Sequence, residues 1–96
     1  MKNILYLKGM TPLHFAVDRG EVDIVQQLLD NGSEVNAQDL SGETPLMLAV
    51  TCEHLELVRL LLERGADKSI VNHDGCTVLD MDGLSEDIIQ AILQVT

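Results

Sequence analysis

Ninety-six residues with sixteen acidic and six basic side chains carry a formal charge of −10, on a chain near the lower size limit for a self-sufficient core. With no Lys/Arg cluster, that charge excludes a phosphate-tracking nucleic-acid surface and attraction to an anionic membrane, and no apolar stretch approaches the ~20 residues that span a bilayer. At 46% hydrophobic the composition is that of a folded domain, and with Tyr6 and Phe15 as its only aromatics the core has to be aliphatic.

The opening segment has an unbroken apolar run only from Ile4 to Leu7, too short for a secretory leader, and no small-residue cleavage site follows. Cys52 and Cys76 are too few for a disulfide framework, so a reduced, cytoplasmic protein is expected. Thr11 then stands where a helix N-cap belongs, with Pro12 at the first helical position, and a short helix is predicted over Pro12–Asp18. A second helix follows from Val22 to Asp30, its Ile24, Val25, Leu28 and Leu29 forming a broad apolar stripe, with Gly32 placed to stop it. Residues 36–43 lack helical period and read as an extended loop or hairpin. Thr44-Pro45 opens a third helix to Thr51. A fourth runs from Leu55 to Arg64, with Leu57, Val58, Leu60, Leu61 and Leu62 apolar and Gly65 behind it. Residues 69–76 again read as a loop or hairpin, and Thr77 takes the capping position a third time.

These elements recur at an offset of 33: Gly9, Gly42 and Gly75 align, as do Thr11, Thr44 and Thr77, Leu13, Leu46 and Leu79, and Gly32 and Gly65. A 33-residue period carrying Thr-Pro-Leu-His-x-Ala at Thr11–Ala16 resembles the ankyrin repeat, over nearly the whole chain. The resemblance implies an all-α solenoid of about three stacked helix-turn-helix units joined by short β-hairpin loops, in one domain over 1–96. Repeat one covers 3–36, repeat two 37–68, and a shortened C-terminal capping repeat 69–96. The last unit departs from the pattern. Residues 87–93 match 23–29 at an offset of 64 rather than 66, so two residues are missing near Asp82-Gly83. Val78 replaces the proline, Asp80 the histidine, and Asp82 stands where Ala16 and Ala49 stood, a charge tolerable on an exposed end but costly beneath another repeat. Gln27 points to an exposed N-terminal face on repeat one, whereas the unfinished run Ile4, Leu5 and Leu7 suggests a chain that continues upstream, a piece of a larger intracellular protein.

No catalytic pattern emerges: there is no Gly-rich phosphate loop, zinc-protease helix or nucleophile elbow. The family resemblance gives His14 a structural role, bonding its own cap and the neighbouring hairpin. Cys52 and His54, with His73 and Cys76, have the composition of a Cys2His2 zinc site but neither its spacing nor, in a stacked-repeat geometry, its proximity. No metal, no cofactor and no enzymatic activity are therefore expected. The carboxylates read as a solvated surface that favours basic partners.

The resemblance instead implies protein–protein recognition through hairpin tips and the exposed ends of the first helix of each unit. Those places hold Leu7, Met10, Asp18 and Arg19 in repeat one, Leu40, Glu43, Thr51 and Cys52 in repeat two, and His73, Asp74 and Cys76 in repeat three. Leu7, Met10 and Leu40 are apolar where a loop tip is usually polar, and serve either an interface or packing between hairpins. The expected partner is another protein with a basic or apolar segment. Asp18-Arg19-Gly20 and Cys52-Glu53 also resemble the C-terminal ankyrin region of multidomain acyl-CoA-binding proteins, which implies a docking arm of a lipid carrier, with acyl-CoA held only by a separate domain.

Overall fold

The computed structural model describes residues 8–94. Helices α1 (Pro12–Asp18), α2 (Val22–Asp30), α3 (Pro45–Thr51) and α4 (Leu55–Glu63) keep the predicted bounds, except that Arg64 caps α4 rather than extending it. Local chemistry explains their starts. The Thr11 hydroxyl accepts the His14 amide at 3.3 Å and the Thr44 hydroxyl that of Met47 at 3.2 Å, each satisfying an amide that lacks a helical partner. The second helices begin without a side-chain cap, but Asp23 and Glu56 lie in their first turns, where negative charge suits the helix dipole.

All four helices end the same way. After α1, the Gly20 amide reaches the Val17 carbonyl and the Glu21 amide the Ala16 carbonyl, both at 3.0 Å, and the pattern recurs after α2, α3 and α4. The closure needs one residue in the left-handed region. Gly20, Gly32 and Gly65 supply it without cost, but after α3 the position is held by Glu53, at φ 54°.

The third unit is where structure and repeat pattern part. In place of an inner helix after Thr77 there is only a 3-10 turn, Val78–Asp80, before the chain leaves in extended conformation at Met81. Asp80 stands at the histidine position and its Oδ2 accepts both the Thr77 amide (2.9 Å) and hydroxyl (3.1 Å), closing a compact turn. Without a proline at position 78 and with Gly83 left-handed, nothing prolongs it. The outer helix is restored as α5 (Glu86–Gln94), with the Ser85 hydroxyl accepting the Ile88 amide at 3.3 Å.

The helices form two layers, α1, α3 and the 3-10 turn inside, α2, α4 and α5 outside, in a body of 41 × 29 × 18 Å. Between them lies the expected aliphatic core: Leu13, Val17, Leu46, Val50, Leu57, Val58, Leu61, Ile88 and Ile92 are fully or almost fully buried. Each such side chain contributes roughly 1.5–3 kcal/mol by leaving water. The middle unit buries what the end units expose. Leu57 is 0% exposed while its counterpart Ile24 is 42% exposed, and Leu13 and Leu46 are each 1% exposed while Leu79 is 42% exposed. Asp82 is exposed, unlike the buried Ala16 and Ala49 whose register it shares.

Candidate functional site

The loops between units form a stacked row along the inner layer. Among the described residues they are tight turns without assigned strands, so the hairpins implied by the family resemblance are reduced to two main-chain bonds within each turn. Asp39 donates its amide to the Glu43 carbonyl (3.0 Å), and Asn72 its amide to the Cys76 carbonyl (3.0 Å). In each turn a side-chain oxygen replaces the missing ladder: Asp39 Oδ1 accepts the amides of Ser41 and Glu43, and Asn72 Oδ1 those of Asp74 and Cys76. Adjacent loops are joined through the main chain, the Leu40 amide to the Lys8 carbonyl at 2.9 Å and the His73 amide to the Ser41 carbonyl at 3.0 Å. Gly42 permits that approach: a Cβ there would lie 2.8 Å from the His73 nitrogen.

His14 has the structural role expected of it. It is fully buried. Its Nδ1 accepts the Thr11 amide at 3.0 Å, which leaves Nε2 to donate to the Glu43 carbonyl at 2.8 Å, tying α1 to the next loop. Glu43, expected at the surface for binding, is half-buried and occupied: its carbonyl serves His14, and its Oε2 accepts the Asn72 side-chain amide at 2.8 Å.

The remaining candidate residues fall into separate groups. Met10, Asp18 and Leu40 meet in an open groove of about 380 Å3, together with Lys8, Asp39, Ser41 and Leu48. Leu40 is 65% exposed, yet its Cγ also lies where a Cβ on Gly9 would come within 2.9 Å, so one face of the side chain packs and the other is offered to solvent. Thr51 and Cys76 line a second cleft of about 380 Å3 with Val50, Glu53, Met81 and Leu84. Arg19 belongs to neither: it pairs with Glu21 at 2.8 Å and stacks over Phe15 at 5.2 Å. Exposed Asp74 marks the tip of the last loop, while the backbone and ring of His73 abut Gly42. Leu7 lies outside the described residues.

Leu48 and the second cleft were not singled out from the sequence. The missing two residues near Asp82, and the candidates Thr51 and Cys76 that line it, were the signals of the cleft. The larger groove of about 490 Å3 lies elsewhere, between α2 and α4, and its rim of Glu56, Arg59 and Glu63 mixes charge signs.

Reactive chemistry is not assembled around these loops. Partial burial of the Cys52 thiol, and secondarily the Asp18 carboxylate beside it, push its pKa up, the reverse of what activates a thiolate nucleophile. Cys52, His54, His73 and Cys76 do not converge: among the described residues no three His, Cys, Asp or Glu side chains form a group able to hold a metal ion. No helix among them is long and apolar enough to cross a membrane.

The family model described as ankyrin repeats (3 copies) matches residues 1–72. No curated protein matches the chain. The matched range stops within the last loop, before the 3-10 turn where the repeat pattern fails. Neither the match nor the geometry supports the narrower acyl-CoA link: Asp18-Arg19-Gly20 and Cys52-Glu53 are the closing turns of α1 and α3.

Proposed function

The chain belongs to the ankyrin-repeat family, whose members are generally protein-interaction modules, and from that premise we propose that it is a non-catalytic recognition domain that holds its partner along the inner-layer loops. The observation that carries this reading is Leu40, 65% exposed at the edge of a groove floored by Met10 and Leu48. An apolar side chain held above a preformed groove by main-chain bonds is already ordered before binding, which reduces the entropy lost on association. Asp18 and Asp39 at the same groove, and the −10 charge of the chain, favour a partner segment that is basic or apolar.

Affinity capture from a native extract, comparing the intact protein with Met10→Ser/Leu40→Ser, tests this. Lost capture with an unchanged thermal midpoint supports the interface. A fall in the midpoint that accounts for the lost capture assigns these side chains to packing and removes the reading.

A further inference from the structure

We infer that the cleft beside the shortened third unit receives a lysine or arginine side chain of the bound polypeptide, with a neighbouring aliphatic residue seated on its floor. This rests on the recognition reading above and adds the chemistry of one subsite. The cleft exists because the repeat is interrupted here. Helix α1 packs along one side of α3, but the other side meets only the three-residue turn Val78–Asp80, and the chain departs at Met81. Beside the exposed Thr51 that ends α3 this leaves a space of about 380 Å3, at the lower end of the range for ligand pockets.

Its lining is divided by chemistry. Met81 and Leu84, packed over the buried Val50, provide an apolar floor, and Glu53, Asp80 and Asp82 a rim of carboxylates, with no lysine or arginine among the lining residues. Asp80 gives Oδ2 to Thr77, whereas the carboxylates of Glu53 and Asp82 make no hydrogen bond or ion pair with any described residue. Lysine and arginine match this division, since their methylene stems lie along apolar surface while the charged head stays at a wet, anionic edge. An acidic segment would meet three carboxylates of its own sign, and a purely apolar one would desolvate them without compensation. The Met10–Leu40 groove differs, because Lys8 stands there beside Asp18 and Asp39.

Glu53 also sits where the closing turns of α1, α2 and α4 have glycine, in left-handed backbone, and its carboxylate has no hydrogen-bond or ion-pair partner among the described residues. A binding role gives that carboxylate a reason to be at this position.

Titration of the 15N-labelled chain with the capped tripeptides Leu-Arg-Leu and Leu-Lys-Leu, followed by amide shifts, decides the matter. Saturable shifts are expected at Val50, Thr51, Glu53 and Met81–Leu84, weakening with added salt, and absent for Leu-Glu-Leu. Glu53→Gln and Asp82→Asn, both at exposed positions that hold no structural bond, should each weaken binding about two- to fivefold with an unchanged thermal midpoint. Equal shifts with the glutamate peptide, or full affinity in the double variant, overturn the inference. Shifts confined to Met10, Leu40 and Leu48 overturn it too, while leaving the recognition reading intact.

Discussion

Replacing Glu53 by glycine should stabilise the protein while removing a charge from the proposed binding cleft. Glu53 carries the left-handed conformation that closes α3, φ 54°, and both bonds of the closure depend on it: its amide to the Val50 carbonyl and the His54 amide to the Ala49 carbonyl, each at 3.0 Å. A side chain in that region costs roughly 1–2 kcal/mol, because Cβ crowds the following carbonyl. Glycine removes the crowding but adds about 0.5–1 kcal/mol of chain entropy to the unfolded state. The net gain is therefore ~0–1.5 kcal/mol, centred near ~0.75, which is roughly 3–6 °C in Tm for a domain of this size. Urea unfolding followed by circular dichroism measures it, with two companion variants. Glu53→Ala keeps the strained Cβ and loses only the carboxylate, so it should gain little. Gly20→Ala imposes the same strain on α1, at φ 72° and with the new Cβ 3.2 Å from the His54 ring, and should lose stability. If Glu53→Gly is no more stable than the parent, the strain argument is refuted. If Glu53→Ala gains as much, relief of charge repulsion rather than of backbone strain is the cause.

Two further outcomes follow from the packing and the local electrostatics. Ala49 is 0% exposed in the middle unit, so Ala49→Asp buries a carboxylate with no partner; at several kcal/mol, against a total of roughly 5–14 kcal/mol for such a chain, cooperative unfolding should be lost. A sharp melt near the parent Tm in that variant would mean that the units do not stack as described. The Cys52 thiol, raised in pKa chiefly by burial and secondarily by Asp18, keeps its proton in the folded state at a pH where the unfolded chain has lost it. The resulting contribution to stability is complete below the ordinary thiol range and falls away as pH rises through and above it. In a Cys76→Ser background, alkylation at mildly alkaline pH should be slower in the folded protein than in urea, and Asp18→Asn should speed it slightly. No difference between folded protein and urea would show that the thiol is not held protonated.

Most of the architecture was legible because each unit announces itself locally. Thr-Pro at 11–12 and 44–45 fixes where α1 and α3 begin, and Gly32 and Gly65 lie one residue beyond the caps Asn31 and Arg64 that end α2 and α4. The loop row was less legible, because its joining bonds are main-chain contacts across about 32 residues, Lys8 to Leu40 and Ser41 to His73, which no side-chain pattern encodes. Leu40 shows the limit. From sequence it is either interface or packing, and the structure has it in contact with the Gly9 region on one side and 65% exposed overall. The third inner helix is cut to three residues although Thr77 and Asp80 make the same capping bonds as Thr11 and His14, so its loss follows the absent proline at 78 and the two residues missing near Asp82-Gly83, a signal the sequence does carry.

This division between main-chain and side-chain bonding explains how stability and recognition coexist in so small a molecule. The bonds that stack one loop on the next are sequence-independent, so the exposed side chains of Leu40, Ser41, His73 and Asp74 can be changed without breaking them. The side chains that do support the loops, Asp39, Glu43, Asn72 and His14, are at least half-buried and already hydrogen-bonded, so the fold sets their positions even where Asp39 lines the Met10–Leu40 groove and Asn72 the second cleft. Cohesion resides in the outer layer and the middle unit, where Leu57, Val58 and Leu61 are sealed between neighbours. The contact face we propose is therefore built largely from residues whose replacement the fold tolerates, and the specificity proposed for it lies in which side chains those positions carry.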